Sequence, residues 1–193
     1  MDVLKRFRSI ATLTTLSIEL LLMPAHAQVV PSAYGPAHPL WVGAEYSNIS
    51  ASFPYQSGQR LGGVGVFADF HLNWRFALEG DARYLDFGGF EGSTESSYLA
   101  GPNTYFFAMG RFRPYGKMLV GMGNIHYPFA IGDASYLAFA PGAGTEYRLS
   151  RRWMLRIEYE YQMWPGSPGY ANEPQHELTP NGFHVGVAYR VFR

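Results

Sequence analysis

Between Met154 and Trp164 the chain alternates without a break. Leu155, Ile157, Tyr159, Tyr161 and Met163 hold one parity, and Arg156, Glu158, Glu160 and Gln162 hold the other. A period of two belongs to an extended strand, whose successive side chains point to opposite faces, whereas a helix would scatter the apolar set around its axis. About ten residues of such alternation is the length of a strand that crosses a bilayer at a tilt. A ribbon with Arg and Glu on one side and aliphatic and aromatic groups on the other must separate two very different environments.

The same pattern recurs. Over 75–86, Phe76, Leu78, Gly80, Ala82 and Tyr84 oppose Arg75, Glu79, Asp81 and Arg83. At the C-terminal end, Phe183, Val185, Val187, Tyr189 and Val191 oppose His184, Gly186, Ala188 and Arg190. Five weaker segments are compatible: 40–50, 60–71, 103–113, 115–126 and 135–148. Their apolar faces include Val42 and Tyr46; Val64 and Val66; Phe106, Ala108 and Phe112; Met118 and Val120; and Leu137 and Phe139. Asp86 breaks phase where its strand runs into a loop. Pro141 falls inside a strand and requires a bulge or a local break in the ladder. The links at 51–59, 87–102, 127–134 and 165–179 are long, and those at 72–74, Pro114 and 149–152 are short. Alternating long and short links between eight strands describe an antiparallel up-and-down barrel with both ends on the short-turn side.

Composition decides what surrounds that barrel. The chain holds 14 Tyr, 14 Phe and 22 Gly but no Cys, so no disulfide, thiolate chemistry or cysteine metal site is available. No window approaches the ~18 apolar residues of a membrane helix. Lys5, Arg6 and Arg8, an apolar stretch from Ile10 to Met23, and Ala25-His26-Ala27 have the form of a secretory leader, which gives residues 1–27 as a signal peptide. Residues 28–39 follow as a short periplasmic segment, and 40–193 form the barrel. The leader takes three bases and two acids (Asp2, Glu19) from totals of 15 each, leaving 12 against 13. That balance offers no electrostatic footprint for nucleic acid.

In a soluble eight-stranded barrel the interior is apolar and the exterior charged. Here the charged face gathers Glu45, Asp69, Glu79, Asp81, Arg83, Arg111, Lys117, Glu146, Arg156, Glu158, Glu160 and Arg190, and the other face carries no charge. An eight-stranded lumen has room only for side chains, and a base facing mid-bilayer costs about 2–4 kcal/mol. The charges therefore go inward, as a polar filled lumen, and the apolar face meets lipid. Trp74, Trp153 and Trp164 fall where an aromatic girdle is expected. The fold class is all-β: an eight-stranded antiparallel transmembrane barrel.

Certain residues carry a family resemblance. Gly142-Ala143-Gly144-Thr145-Glu146-Tyr147-Arg148-Leu149, Trp153 and Leu155-Arg156-Ile157-Glu158-Tyr159-Glu160-Tyr161 resemble the penultimate hairpin of OmpA-type outer-membrane β-barrel domains. Arg113-Pro114-Tyr115 with Gly121 and Gly123 is similar to their central hairpin, and Gly186-Val187-Ala188-Tyr189-Arg190 to their closing strand. The resemblance implies an outer-membrane protein inserted by the assembly machinery, in contact with outer-membrane lipids and lipopolysaccharide. That machinery usually recognises a terminal aromatic, whereas this chain ends Val191-Phe192-Arg193. No peptidoglycan-binding domain of the OmpA kind is expected.

For function, near-balanced lumen charge predicts an interlocked structural plug in preference to an ion path. Glu79 and Asp81 beside Arg83 read as lumen filling, not as an acid–base pair. A lipid A-modifying barrel would need a nucleophile and a base at the outer rim. The His-x-Ser spacing of the deacylases fails at His126, where Pro128 replaces the serine. The six histidines show no paired metal-ligand spacing. No catalytic residue, cofactor or metal is expected. The surviving role is structural or surface recognition, with loops 87–102 and 165–179 as candidate ligand sites.

Overall fold

A computed structural model of the chain describes residues 38–53, 56–87, 93–127, 132–167 and 177–191. The expected leader, and the periplasmic segment up to residue 37, lie outside the described residues. Eight strands follow in order: β1 (Leu40–Phe53), β2 (Gln56–His71), β3 (Phe76–Phe87), β4 (Thr94–Tyr105), β5 (Phe112–Tyr127), β6 (Gly132–Arg148), β7 (Trp153–Tyr161) and β8 (Asn181–Arg190). Each pairs antiparallel with the next, and β8 closes on β1.

The ladder registers fix the geometry of closure. From Tyr147 on β6, the pairings lead through Leu155, Val187, Ala44, Val66, Ala82, Tyr98 and Met122 and return to β6 at Leu137, ten positions away. A shear of that size tilts eight strands by roughly 40° and leaves a lumen just wide enough for side chains. All the residues on this circuit are uncharged, and Leu155, Val187, Val66, Tyr98, Met122 and Leu137 are exposed. The outward row is therefore a continuous apolar belt.

Two sequence expectations fail at β4. That strand spans 94–105, not 103–113, and the expected link at Pro114 lies inside β5. Thr94, Ser96, Tyr98, Ala100, Pro102 and Thr104 face outward or partly outward, while Glu95, Ser97, Leu99, Asn103 and Tyr105 are buried. Hydroxyl groups on both faces erase the contrast that the other strands carry, and Gly101-Pro102-Asn103 imitates a turn. Pairing with β5 lapses between Ala100↔Val120 and Asn103↔Lys117, as a residue without an N–H demands, then resumes in the same register. The real turn is at Gly110-Arg111, where Met109 and Phe112 exchange backbone hydrogen bonds of 2.9 and 3.0 Å and Gly110 takes a φ of 60°.

The alternation of long and short links is also revised. Strand pairs β1–β2 and β5–β6 run on through much of the expected loops, so the β7–β8 connection, 162–180, is the longest. Pro141 does interrupt one ladder. The β6–β7 pairing stops at Gly142↔Glu160 and resumes as a single bridge at Phe139↔Met163, while pairing with β5 continues through Pro141↔Met118. Trp74 and Trp153 are exposed at the short-turn end, but Trp164 is fully buried inside the barrel and belongs to no girdle.

Candidate functional site: the barrel interior

The alternation that carries Leu155 and Ile157 outward carries Arg156, Glu158 and Glu160 inward, and the same parity acts on every strand. Of the twelve charged residues assigned to the lumen from sequence, Glu45, Asp69, Glu79, Asp81, Arg83, Lys117, Glu146, Arg156, Glu158 and Glu160 are buried inside the barrel. Three cations organise them. Arg83 on β3 grips Glu160 on β7 with two parallel hydrogen bonds of 2.5 and 2.9 Å, and its Nε donates to Glu45 on β1 at 2.8 Å. Lys117 on β5 reaches Glu79 at 3.0 Å, Glu158 at 2.5 Å and Glu160 at 2.9 Å. Arg156 on β7 spans to Asp69 on β2 at 3.2 Å, contacts Glu79 on β3, and pairs with Glu158 at 2.6 Å. Each cation therefore ties opposite walls together.

Neutral groups complete these shells. Asn103 donates to Asp69 at 3.1 Å and Glu79 at 2.6 Å, and the Tyr115 hydroxyl donates to Glu158 while accepting from Arg156 Nε at 2.6 Å. The Arg156 guanidinium also lies 4.4 Å from the Phe67 ring centroid. Toward the short turns, Glu146 accepts from Tyr105 at 2.6 Å and faces Arg113 at 3.7 Å. Toward the other end, Gln162 donates to Glu160 at 2.9 Å and accepts from the Trp164 indole at 2.7 Å.

Trp164 there joins Ile49, Leu61, Leu85, Leu99, Leu119, Ile125 and Leu178 in an apolar plug. The filled lumen expected from sequence is thus polar along the ion-pair network and apolar at this end. Glycine makes the room: a Cβ added at Gly123 would collide with the Trp164 indole.

Two expected residues are elsewhere. Arg111 is exposed in the Met109–Phe112 turn, because β4 ends before it and β5 begins after it. Arg190 is half-buried at the mouth, its guanidinium 6.0 Å from the Trp41 ring. Arg113 and Glu95 are buried in their stead. The interior of the described residues thus holds eight acids (Glu45, Asp69, Glu79, Asp81, Glu95, Glu146, Glu158, Glu160) against Arg83, Arg113, Lys117 and Arg156. Arg113 and Tyr115 share the parity of Lys117, a signal that a strand continued through Pro114 would have supplied. Tyr105 and Glu95 carried no signal, since β4 shows none.

A metal has one conceivable seat among the described residues. Glu45, Glu158 and His184 bring ligand atoms within 4.8 Å of one another. Arg83 already occupies Glu45, and Arg156 and Lys117 occupy Glu158. Three cations on two carboxylates oppose a fourth. At the outer rim, His126 Nδ1 contacts Asp133, and Thr94 stands opposite His126 in the ladder.

Residues 16–190 match the family model described as Outer membrane protein beta-barrel domain. The chain belongs to that family. Its barrel fold is shared with solved outer-membrane barrels. Neisserial surface protein A aligns at a TM-score of 0.67 with 12% identity, over 81% of this chain and 99% of that one. Ail, the attachment invasion locus protein of Yersinia pestis, gives 0.59 with 15% identity, over 80% and 99%. The N-terminal barrel domain of Pseudomonas aeruginosa OprF gives 0.50 with 16% identity, over 80% and 99%. At these identities the likeness is one of fold. No curated protein matches the chain. The family fixes the environment of this outer-membrane barrel: the apolar belt faces lipid and the charged network is held inside.

Proposed function

We propose that this outer-membrane barrel is a structural and surface-recognition component that neither conducts ions nor catalyses a reaction. One observation carries the reading: ion pairs from opposite walls and the Trp164 plug fill successive levels of the same lumen. With the short turns in the periplasm, as in up-and-down outer-membrane barrels, the β7–β8 connection is presented outside the cell. Its base is pinned. Trp164 N donates to Leu178 O at 3.0 Å, while the Ser167 hydroxyl accepts from Leu178 N and donates to Trp164 O, each at 2.7 Å. The described ends of the connection are thus rooted in the plug, and rigid scaffolds are where recognition segments are carried. Lipids and lipopolysaccharide around the belt, and the assembly machinery during insertion, remain its proposed partners.

The test replaces residues 168–176 by a Gly-Ser segment of equal length and compares attachment of expressing cells to host-surface polymers. Attachment lost from a barrel that still shifts its gel mobility on heating supports recognition. Attachment unchanged from wild type contradicts it. The His126–Asp133 contact favours a second reading, because Asp on Nδ1 leaves Nε2 free to act as a base beside Thr94 at the membrane rim. Loss of a lipid A modification in His126→Ala cells would establish that reading, and unchanged lipid A would remove it.

A further inference from the structure

The short-turn mouth of the barrel is ringed by cations. Arg111 from the β4–β5 turn, Arg148 from the end of β6, Arg151 from the β6–β7 turn and Arg190 from the end of β8 line one cavity of about 350 Å³, with Trp41, Leu149 and Ser150 completing its wall. Four strands and turns thus deliver guanidinium groups to the same space. No carboxylate lines it among the described residues. The nearest lumen acid at that end, Glu146, already accepts from Tyr105 and faces Arg113. Beyond the cavity, Arg75 and Arg152 are also exposed at this end, whereas Asp86, Asp133 and Glu177, the exposed acids of the described residues, all lie at the opposite end.

We propose that this mouth is an anion site for a phosphate-bearing ligand. Like charges converging at the edge of a low-dielectric barrel repel one another, and a bound anion relieves that repulsion. Guanidinium forks match phosphate oxygens with paired, charge-assisted hydrogen bonds. The forks of Arg111, Arg148 and Arg151 alone offer more donors than one carboxylate can accept, and a phosphoryl group supplies both the oxygens and the charge. Trp41 and Leu149 give an apolar wall to whatever carries the phosphate. Trp41, Arg148 and Arg190 have the inward parity of their strands and the other lining residues belong to the short turns, so the cavity opens along the barrel axis to the aqueous side. The ligand is a soluble phosphorylated molecule or a phospholipid headgroup folded over the rim.

The test uses the full-length barrel, purified in non-ionic detergent, with NMR of the arginine Nε–H groups and the Trp41 indole. Inorganic pyrophosphate is titrated at constant ionic strength against chloride, and in a second arm the barrel is placed in nanodiscs with or without phosphatidylglycerol. The variant is Arg111→Gln/Arg148→Gln, which keeps side-chain length, and its folding is checked by heat-modifiable mobility. Arg60→Gln at the far end is the control. Saturable shifts with pyrophosphate, weakened about tenfold or more in the double variant and unchanged in the control, support a soluble phosphorylated ligand. Shifts only with phosphatidylglycerol, lost in the same variant, support a headgroup. Shifts that chloride reproduces, or that persist in the folded double variant, overturn the proposal.

Discussion

Arg83 shows how much one lumen side chain carries. It holds Glu160 through both terminal nitrogens and Glu45 and Asp81 through Nε, with no exposure of its side chain. Arg83→Met keeps most of the volume and leaves those carboxylates without their cation. Breaking a buried pair from one side costs about 3–5 kcal/mol, so urea unfolding in detergent should show a loss of that order, while the exposed Glu177→Gln should shift stability by less than about 0.5 kcal/mol. Gly123 and Trp164 form a second coupled pair. Gly123→Ala alone should cost about 1–3 kcal/mol by overpacking, and much less in a Trp164→Ala background. A double-mutant cycle showing simple additivity would contradict that contact. Residues such as Arg156, Glu158 and Arg83 were legible in the sequence because several charges in one strand agreed in phase. Trp164 was not, since a tryptophan next to a loop is equally consistent with a lipid girdle, and only the plug of Ile49, Leu61 and Leu119 decides between the two.

At the scale of the strand, β7 is the most directly read element. Leu155, Ile157 and Tyr159 face lipid while Arg156, Glu158 and Glu160 are buried, as the alternation requires. Ile157→Arg places a cation on the belt and should destabilise the membrane-inserted barrel by about 2–4 kcal/mol, read from unfolding in lipid vesicles. The same change at Asp86, outside the belt, should be nearly neutral. An equal cost at both positions would contradict the assigned faces. β4 marks the limit of such reading. With Ser96 outward, Ser97 inward and one buried charge, Glu95, its pattern has no amplitude, and its neighbours settle its place through Tyr98↔Met122 and Ala82↔Tyr98. The displaced turn then moved Arg111 out of the lumen and left Arg113 within it. One strand misplaced by local composition thus changed two members of the site.

For the whole molecule, eight strands and their registers make a tube whose bore is set before any side chain is chosen. Sequence parity dictated what enters the bore. It did not dictate the order along the axis: an arginine-lined mouth, a cross-braced ionic middle and an apolar plug. That order comes from stagger between strands, which brings Lys117 and Glu158 to one level although the sequence separates them by 41 residues. The proposed sealing rests on cations tied to carboxylates on opposite walls and on the apolar plug beyond them. Single-channel recording in planar bilayers tests this sealing most directly. The sealed barrel should insert without unitary conductance, and regular, reproducible current steps from the wild-type chain would contradict it.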